Sequence, residues 1–258
     1  MRLAADRPAP PASGPGPADE RLRRELAHHR GLAGQQTEEI WGWASPAGRR
    51  RADRRGELFA EGTGIGPGRR VLELGCGTGE FTRRVARPGA QLVALDLSPE
   101  LLAKARSKVA AGARFVRGDA TVLPFPTASF DAVYGCSILH HLDVEAALAE
   151  VRRVLRPGGR LVFSEPNLLN PQIFLMFKIH ALRPYIGFSP DEMAFTRGAI
   201  TRVLRGLGFG GIRVRYFDFL HPAIPGGLVP MAEPALEGLE RVPLVRAISG
   251  SLLIHAQR

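Results

Sequence analysis

The sequence predicts an α/β fold: a three-layer α/β/α sandwich on a mostly parallel seven-stranded sheet whose last strand runs antiparallel. Three observations carry that expectation. After Gly68, short apolar runs alternate with helical stretches, the rhythm of a parallel sheet covered on both faces. One of those runs, ending at Leu74, passes directly into a glycine turn and then a helix. A length of 258 residues with 45% hydrophobic content suits one well-buried domain better than two.

The elements follow in chain order. Residues 1–18 hold Pro8, Pro10, Pro11, Pro15 and Pro17 with too few large apolar groups to pack, and are expected to be a disordered tail. Residues 19–67 are expected to supply N-terminal helices that act as a lid: a charged pattern at 19–30, then 46–61 with Ser45 as cap and Pro46 at the first helical position. The main domain spans 68–258, with strands read at 70–74, 91–95, 114–117, 132–135, 160–164, 212–219 and 251–256. Helices fall between them at about 80–86, 99–110 and 144–155, with a later one at 197–207 that ends at Gly208. Ser98, Pro99 and Glu100 give the second of these a capped start with an anion at the positive end of the helix dipole. The last two strands are sequential and suit an antiparallel pair. Two insertions, 166–196 and 221–243, follow strand ends, where parallel sheets carry their ligand crevice, and are expected to cover the substrate.

Composition narrows the function classes. The net charge of +10 invites a nucleic-acid partner, but the basic residues are almost all Arg, with only Lys104, Lys108 and Lys178 as lysines. The one dense cluster, Arg49, Arg50, Arg51, Arg54 and Arg55, reads as a solvated helix face. Two cysteines exclude a disulfide framework, and no Cys/His spacing suits a metal. No apolar run reaches 18 residues and the opening MRLAADRPAPPASGPGP has no apolar core, so a cytoplasmic protein is expected.

The chemistry concentrates at three strand ends. In Val71-Leu72-Glu73-Leu74-Gly75-Cys76-Gly77-Thr78-Gly79-Glu80 a buried strand meets a glycine loop and a helix N-terminus, so the backbone can approach a ligand closely. Gly75, Gly77 and Gly79 follow G-x-G-x-G, not the G-x-G-x-x-G of sites that cradle a pyrophosphate, so a guest without phosphate is expected. Asp96 ends the next strand, where a carboxylate can accept from both hydroxyls of a ribose. Asp119, after the third strand, can accept from the exocyclic amine of an adenine.

The stretch 71–167 resembles the class I, Rossmann-like methyltransferases dependent on S-adenosylmethionine (SAM), particularly the bacterial group that methylates small molecules. VLELGCGTG, LVALDLS, FVRGDATVLPFPTASFDAV, SILHHL and LRPGGRLVFSEPN all look like that group's motifs in order and spacing. The resemblance implies that Glu73 and the loop Gly75, Cys76, Gly77, Thr78 and Gly79 face the amino-acid part of SAM. It implies that Asp96 binds ribose, Leu97 packs on adenine, Asp119 and Ala120 hold the adenine edge, and Cys136 lines the methionine side. The product would be S-adenosylhomocysteine, and no metal is expected. His141, with His140 beside it, is the candidate base, against a structural or cofactor-contacting role. An arginine of the helix cluster, Arg51 or Arg55, is expected to reach the SAM carboxylate.

The acceptor is expected to be a small molecule, lipophilic or a secondary metabolite, met by Phe174 and Phe177 of the apolar first insertion. Peripheral membrane contact and a homodimer interface are open alternatives for the same segment. Cys136-Ser137-Ile138-Leu139 stands where enzymes that methylate base amino groups carry Asn or Asp before Pro-Pro-Tyr, which makes nucleic acid unlikely. RNA or protein methylation, and a SAM-binding protein without catalysis, are the alternatives. A nicotinamide oxidoreductase is disfavoured by the glycine spacing and the lack of a Tyr-x-x-x-Lys pair.

Overall fold

The computed structural model describes residues 21, 23, 27, 37–109, 111–178 and 193–258. The expected tail, most of the expected helix at 19–30, and the middle of the first insertion lie outside the described residues. The sheet has seven strands: β1 (Arg70–Leu74), β2 (Gln91–Asp96), β3 (Ala113–Arg117), β4 (Phe130–Cys136), β5 (Leu155–Pro166), β6 (Gly210–Phe217) and β7 (Ser251–Gln257). Their spatial order is β3-β2-β1-β4-β5-β7-β6, with β7 antiparallel to both neighbours and the other pairings parallel. The order reverses between β1 and β4, which opens a crevice at their carboxyl ends.

Each strand alternates between two cores. Leu72, Val133, Phe163 and Ile254 pack on one side of the sheet, and Val71, Tyr134, Val162 and Leu253 on the other. The first side is covered by α5 (Val144–Val154) and α7 (Arg197–Gly206), numbering helices in chain order. The second is covered by α2 (Pro46–Thr63) and α3 (Glu80–Val85). Short α1 (Thr37–Ile40) precedes them, and α4 (Pro99–Lys108) follows β2. The expected caps Ser45 and Ser98 are present, each accepting from a first-turn backbone N–H, and Thr196 caps α7 in the same way.

The bounds of the expected elements agree with the structure to within two residues except at the start of β5, and the second insertion holds an unexpected helix. Helix α4 stops at Lys108, short of 110. Strand β5 begins at Leu155, five residues early, because Phe130 pairs with Leu155 before an irregularity whose extra residues lie in β5, between Leu155 and Arg160. The second insertion holds a helix, α8 (Val229–Leu239), despite its prolines. Pro230 sits in its first turn, where no intrahelical N–H is needed, and Pro234 is accommodated inside. The first insertion begins with α6 (Pro171–Lys178). Among the described residues no helix is long and apolar enough to cross a membrane.

Candidate functional site

The cleft is built where β1 hands over to the glycine loop. Gly75, Gly77 and Gly79 adopt φ of 65°, 52° and 80°, a region that side chains rarely enter. A Cβ on Gly75 would come within 2.6 Å of Ile138, so the loop needs glycine for space as well as for torsion. Cys76 is buried against Ala94 and Leu102, and that burial pushes its thiol far up. Asp96 fixes the loop from the next strand: its carboxylate accepts from Gly77 N at 2.7 Å and from Ser98 N at 2.9 Å.

Asp119 is turned by its own loop, accepting from the N–H and hydroxyl of Thr121, both at 2.8 Å. Gly75, Asp96, Leu97, Asp119, Ala120 and His141 line one cleft, with Leu95, Ile138 and Leu142 as apolar walls. Two carboxylates between apolar side chains fit a nucleoside, whose hydroxyls and amine donate and whose base stacks on hydrocarbon. Arg21 forms a further wall and donates to His141 O at 2.8 Å.

Glu73 and Cys136 do not line this cleft. Glu73 lies beneath the loop, accepting from Thr82 Oγ1 at 2.6 Å beside its strand neighbour Tyr134. Burial raises its carboxyl to about 7, against the lowering effect of Thr82. Cys136 faces the charges of Arg55, Glu165 and Arg51, and burial raises its thiol to about 11.

The N-terminal segment rests on the glycine loop. The Trp41 ring lies over Gly77, where a Cβ would meet it at 3.1 Å. Thr78 donates to Glu38 at 2.7 Å, and Lys108 bonds the same carboxylate. Partial burial pushes Glu38 up, but the bonds from Lys108 and Thr78 outweigh it and hold the carboxyl at about 2.

Of the arginine cluster only Arg49 and Arg50 are exposed, and Arg51, Arg54 and Arg55 turn inward to carboxylates and not to the cleft. Arg55 reaches Asp218 at 2.5 Å and Ser251 at 2.8 Å, and Arg51 reaches Asp218 at 2.9 Å. Arg50 pairs with Glu233, and Arg54 with Glu240. Trp43 caps the buried pair, with both guanidinium carbons 5.3 Å from its ring. Burial would raise the Asp218 carboxyl, but Arg55 and Arg51 outweigh it and hold it at about 2. A carboxylate this deep needs such cations, so Arg51 and Arg55 are committed within the fold.

Beyond β4 the two histidines diverge. His141 lines the cleft, whereas buried His140 places Nδ1 2.8 Å from Glu165 Oε2, and their rings stack at 4.1 Å. Glu165 also accepts from Ile138 N at 3.0 Å and Leu139 N at 2.9 Å. Ser137, at φ of 52°, makes the turn that delivers this segment to Glu165. The two phenylalanines diverge too: Phe177 is buried and anchors α6, while Phe174 is exposed.

Sequence reasoning missed Glu165, Glu38 and Asp218. Glu165 carried a signal, a lone carboxylate closing the apolar run LVFSEP, since buried charge needs a partner. Asp218, just past Tyr216-Phe217, could have been matched to the arginines by the same logic. Nothing local marks Glu38. Among the described residues no His, Cys, Asp and Glu cluster could hold a metal.

The family model described as a methyltransferase domain matches residues 72–163. A demethylmenaquinone methyltransferase of Mycolicibacterium paratuberculosis is 36% identical over 169 residues, 59% of this chain and 72% of that protein. A malonyl-[acyl-carrier protein] O-methyltransferase of Serratia marcescens is 41% identical over 99 residues, 38% of each chain. A solved SAM-dependent methyltransferase of Mesorhizobium loti superposes with a TM-score of 0.57 at 26% identity, covering 80% of this chain and 96% of that one. With the glycine loop, the two strand-end aspartates and the reversed strand order on one crevice, the chain belongs to the class I SAM-dependent methyltransferases.

Proposed function

We propose that the chain transfers a methyl group from SAM to a small lipophilic acceptor, of a lipid-linked or polyketide-like class, with His140 as the base that takes the acceptor's proton. The observation that carries this is the buried His140–Glu165 pair beside the cleft. Bound SAM supplies a methyl group on a positively charged sulfur, a leaving group that needs no acid. Asp96 would hold the ribose, Asp119 and Ala120 the adenine edge, Leu97 its face, and the glycine loop the amino-acid part. What remains for the protein is to align the acceptor and accept its proton. Glu165 receives the Nδ1–H, which makes Nε2 the basic nitrogen and balances the imidazolium once the proton has moved. His141, its ring 4.1 Å from that of His140, lines the cleft beside the proposed base.

The acceptor class rests on the surface. Of the eleven exposed large apolar residues among those described, nine lie between Leu169 and Ile248, on the segments that follow β5 and β6. Leu169 and Phe174 flank the start of α6, and Met193 N donates to His140 O, so this apolar rim begins at the proposed base. The two relatives are named for different acceptors, so neither name transfers. A cytoplasmic location with peripheral membrane contact goes with a lipophilic acceptor. A homodimer through the same rim is the competing outcome. The test is incubation of the protein and a lipid extract with methyl-labelled SAM. Label is expected in organic-soluble product; label confined to RNA or protein would overturn the acceptor class.

A further inference from the structure

The positive charge that the fold leaves unbalanced is not the arginine cluster seen in the sequence. Helix α2 crosses β4 and β5 but stops short of the sheet edge, leaving a groove of about 440 Å³ between its last turn and strands β7 and β6. Glu61, Arg160, Arg213, Arg215, His255 and Gln257 line it. The strand register explains how they meet. Arg213 lies directly opposite His255 on the antiparallel β6–β7 pair, Arg215 is two residues on and shares that face, and Arg160 pairs with Gln257 from β5. Three arginines and a histidine thus share one sheet face with a single carboxylate. Among the described residues none of the three arginines makes an ion pair, whereas Arg50, Arg51, Arg54 and Arg55 all do.

Like charges placed opposite one another on a sheet destabilise it. His255 registers this field: burial lowers its pKa, and Arg213 and then Arg215 lower it further, with only Glu61 opposing. Edge strands do carry charge to prevent sheet-to-sheet pairing, but one basic residue would serve that end, and Arg160 lies on an inner strand. The groove is also remote from the cleft, since Arg160 precedes Glu165 by five residues, roughly 16 Å along β5.

We propose that this groove is a second binding site, for a phosphate-bearing anion of the diphosphate class, with Arg213 and Arg215 as its principal ligands and Arg160 closing it. Guanidinium forks match phosphate oxygens two at a time, and the volume suits a small organic diphosphate or the exposed headgroup of a phospholipid. The test titrates the full chain with inorganic diphosphate, following heat and the NMR signal of the His255 ring, and in parallel with phosphatidylglycerol vesicles. Saturable diphosphate binding is expected, with the His255 pKa rising in the complex because the anion offsets Arg213 and Arg215. The double variant Arg213→Ser, Arg215→Ser should lose at least tenfold in diphosphate affinity and keep its S-adenosylhomocysteine affinity and melting temperature. Its unliganded His255 pKa should rise, since the like charges are gone. Vesicle binding lost in the same variant would assign the headgroup as the natural source of the phosphate; diphosphate binding without it would assign a soluble ligand. No saturable binding of either probe, or binding that the double variant retains, would overturn the proposal.

Discussion

The cofactor side of the cleft and the acceptor side are assembled at different ranges. Gly75, Asp96 and Asp119 each sit within two residues of a strand end, and the bonds of the two aspartates run two positions on, to Ser98 and Thr121, and at most 19 positions, to Gly77. On the other side, His140 is set by Glu165, 25 positions on, and the turn before α6 by carbonyls near residue 248, some 80 positions on, while away from the cleft Arg51 and Arg55 reach Asp218 across more than 160. Short-range parts can be written into one motif and reused. Long-range parts depend on which insertions follow which strand, so they vary freely and carry the acceptor chemistry.

If that division is right, the largest stability loss comes from the long-range side. Asp218→Ala leaves Arg51 and Arg55 buried without their anion and should cost about 3 to 5 kcal/mol in chemical denaturation. A loss under about 1 kcal/mol would mean the two arginines find other partners.

A second change, on the short-range side, works through pH. Burial raises the Glu73 carboxyl in the fold from the ordinary 4.5 to about 7. A raised folded pKa means stability is full below the unfolded value and falls as pH rises through the folded one. Glu73→Gln should therefore match the wild type near pH 4.5 and exceed it by about 3 kcal/mol above pH 7. Equal pH dependence of the two melting curves would contradict the burial account.

How much of this was legible in the sequence follows the same division. The strands, caps and glycine loop could be read because a strand end, a cap or a positive φ is dictated by residues a few positions away. Glu73 was assigned to the cofactor because its place in the motif does not reveal which face of β1 it occupies; the structure sends it under the loop to Thr82. The arginine cluster looked like a solvated face because its acids lie more than 160 residues later. His140 and His141 are adjacent and chemically identical, and only the long-range bond to Glu165 separates them.

Asp96→Ala should weaken S-adenosylhomocysteine binding by about 1 to 3 kcal/mol, the range for lost charge-assisted bonds, as read by calorimetry. Because the same carboxylate pins Gly77, part of that loss should appear as slower association. An unchanged affinity would place the ribose elsewhere. The smallest effect expected is at Phe174, which is exposed and should contribute about 1 kcal/mol of acceptor contact. Phe174→Ser should raise the acceptor KM severalfold and leave cofactor affinity alone. A dimer turning into a monomer with normal kinetics would instead give the apolar rim to a second copy.

The most direct measurement compares single-turnover methyl transfer with calorimetric binding of S-adenosylhomocysteine in His140→Ala and Glu165→Gln. With His140 as base, transfer should fall about 10²- to 10⁴-fold in the first variant and less in the second, while cofactor affinity stays at the wild-type value. The pH dependence of transfer should also flatten in His140→Ala. Transfer at the wild-type rate in His140→Ala, or a loss matched by an equal loss of cofactor affinity, would contradict the assignment of the base and the separation of the two sides.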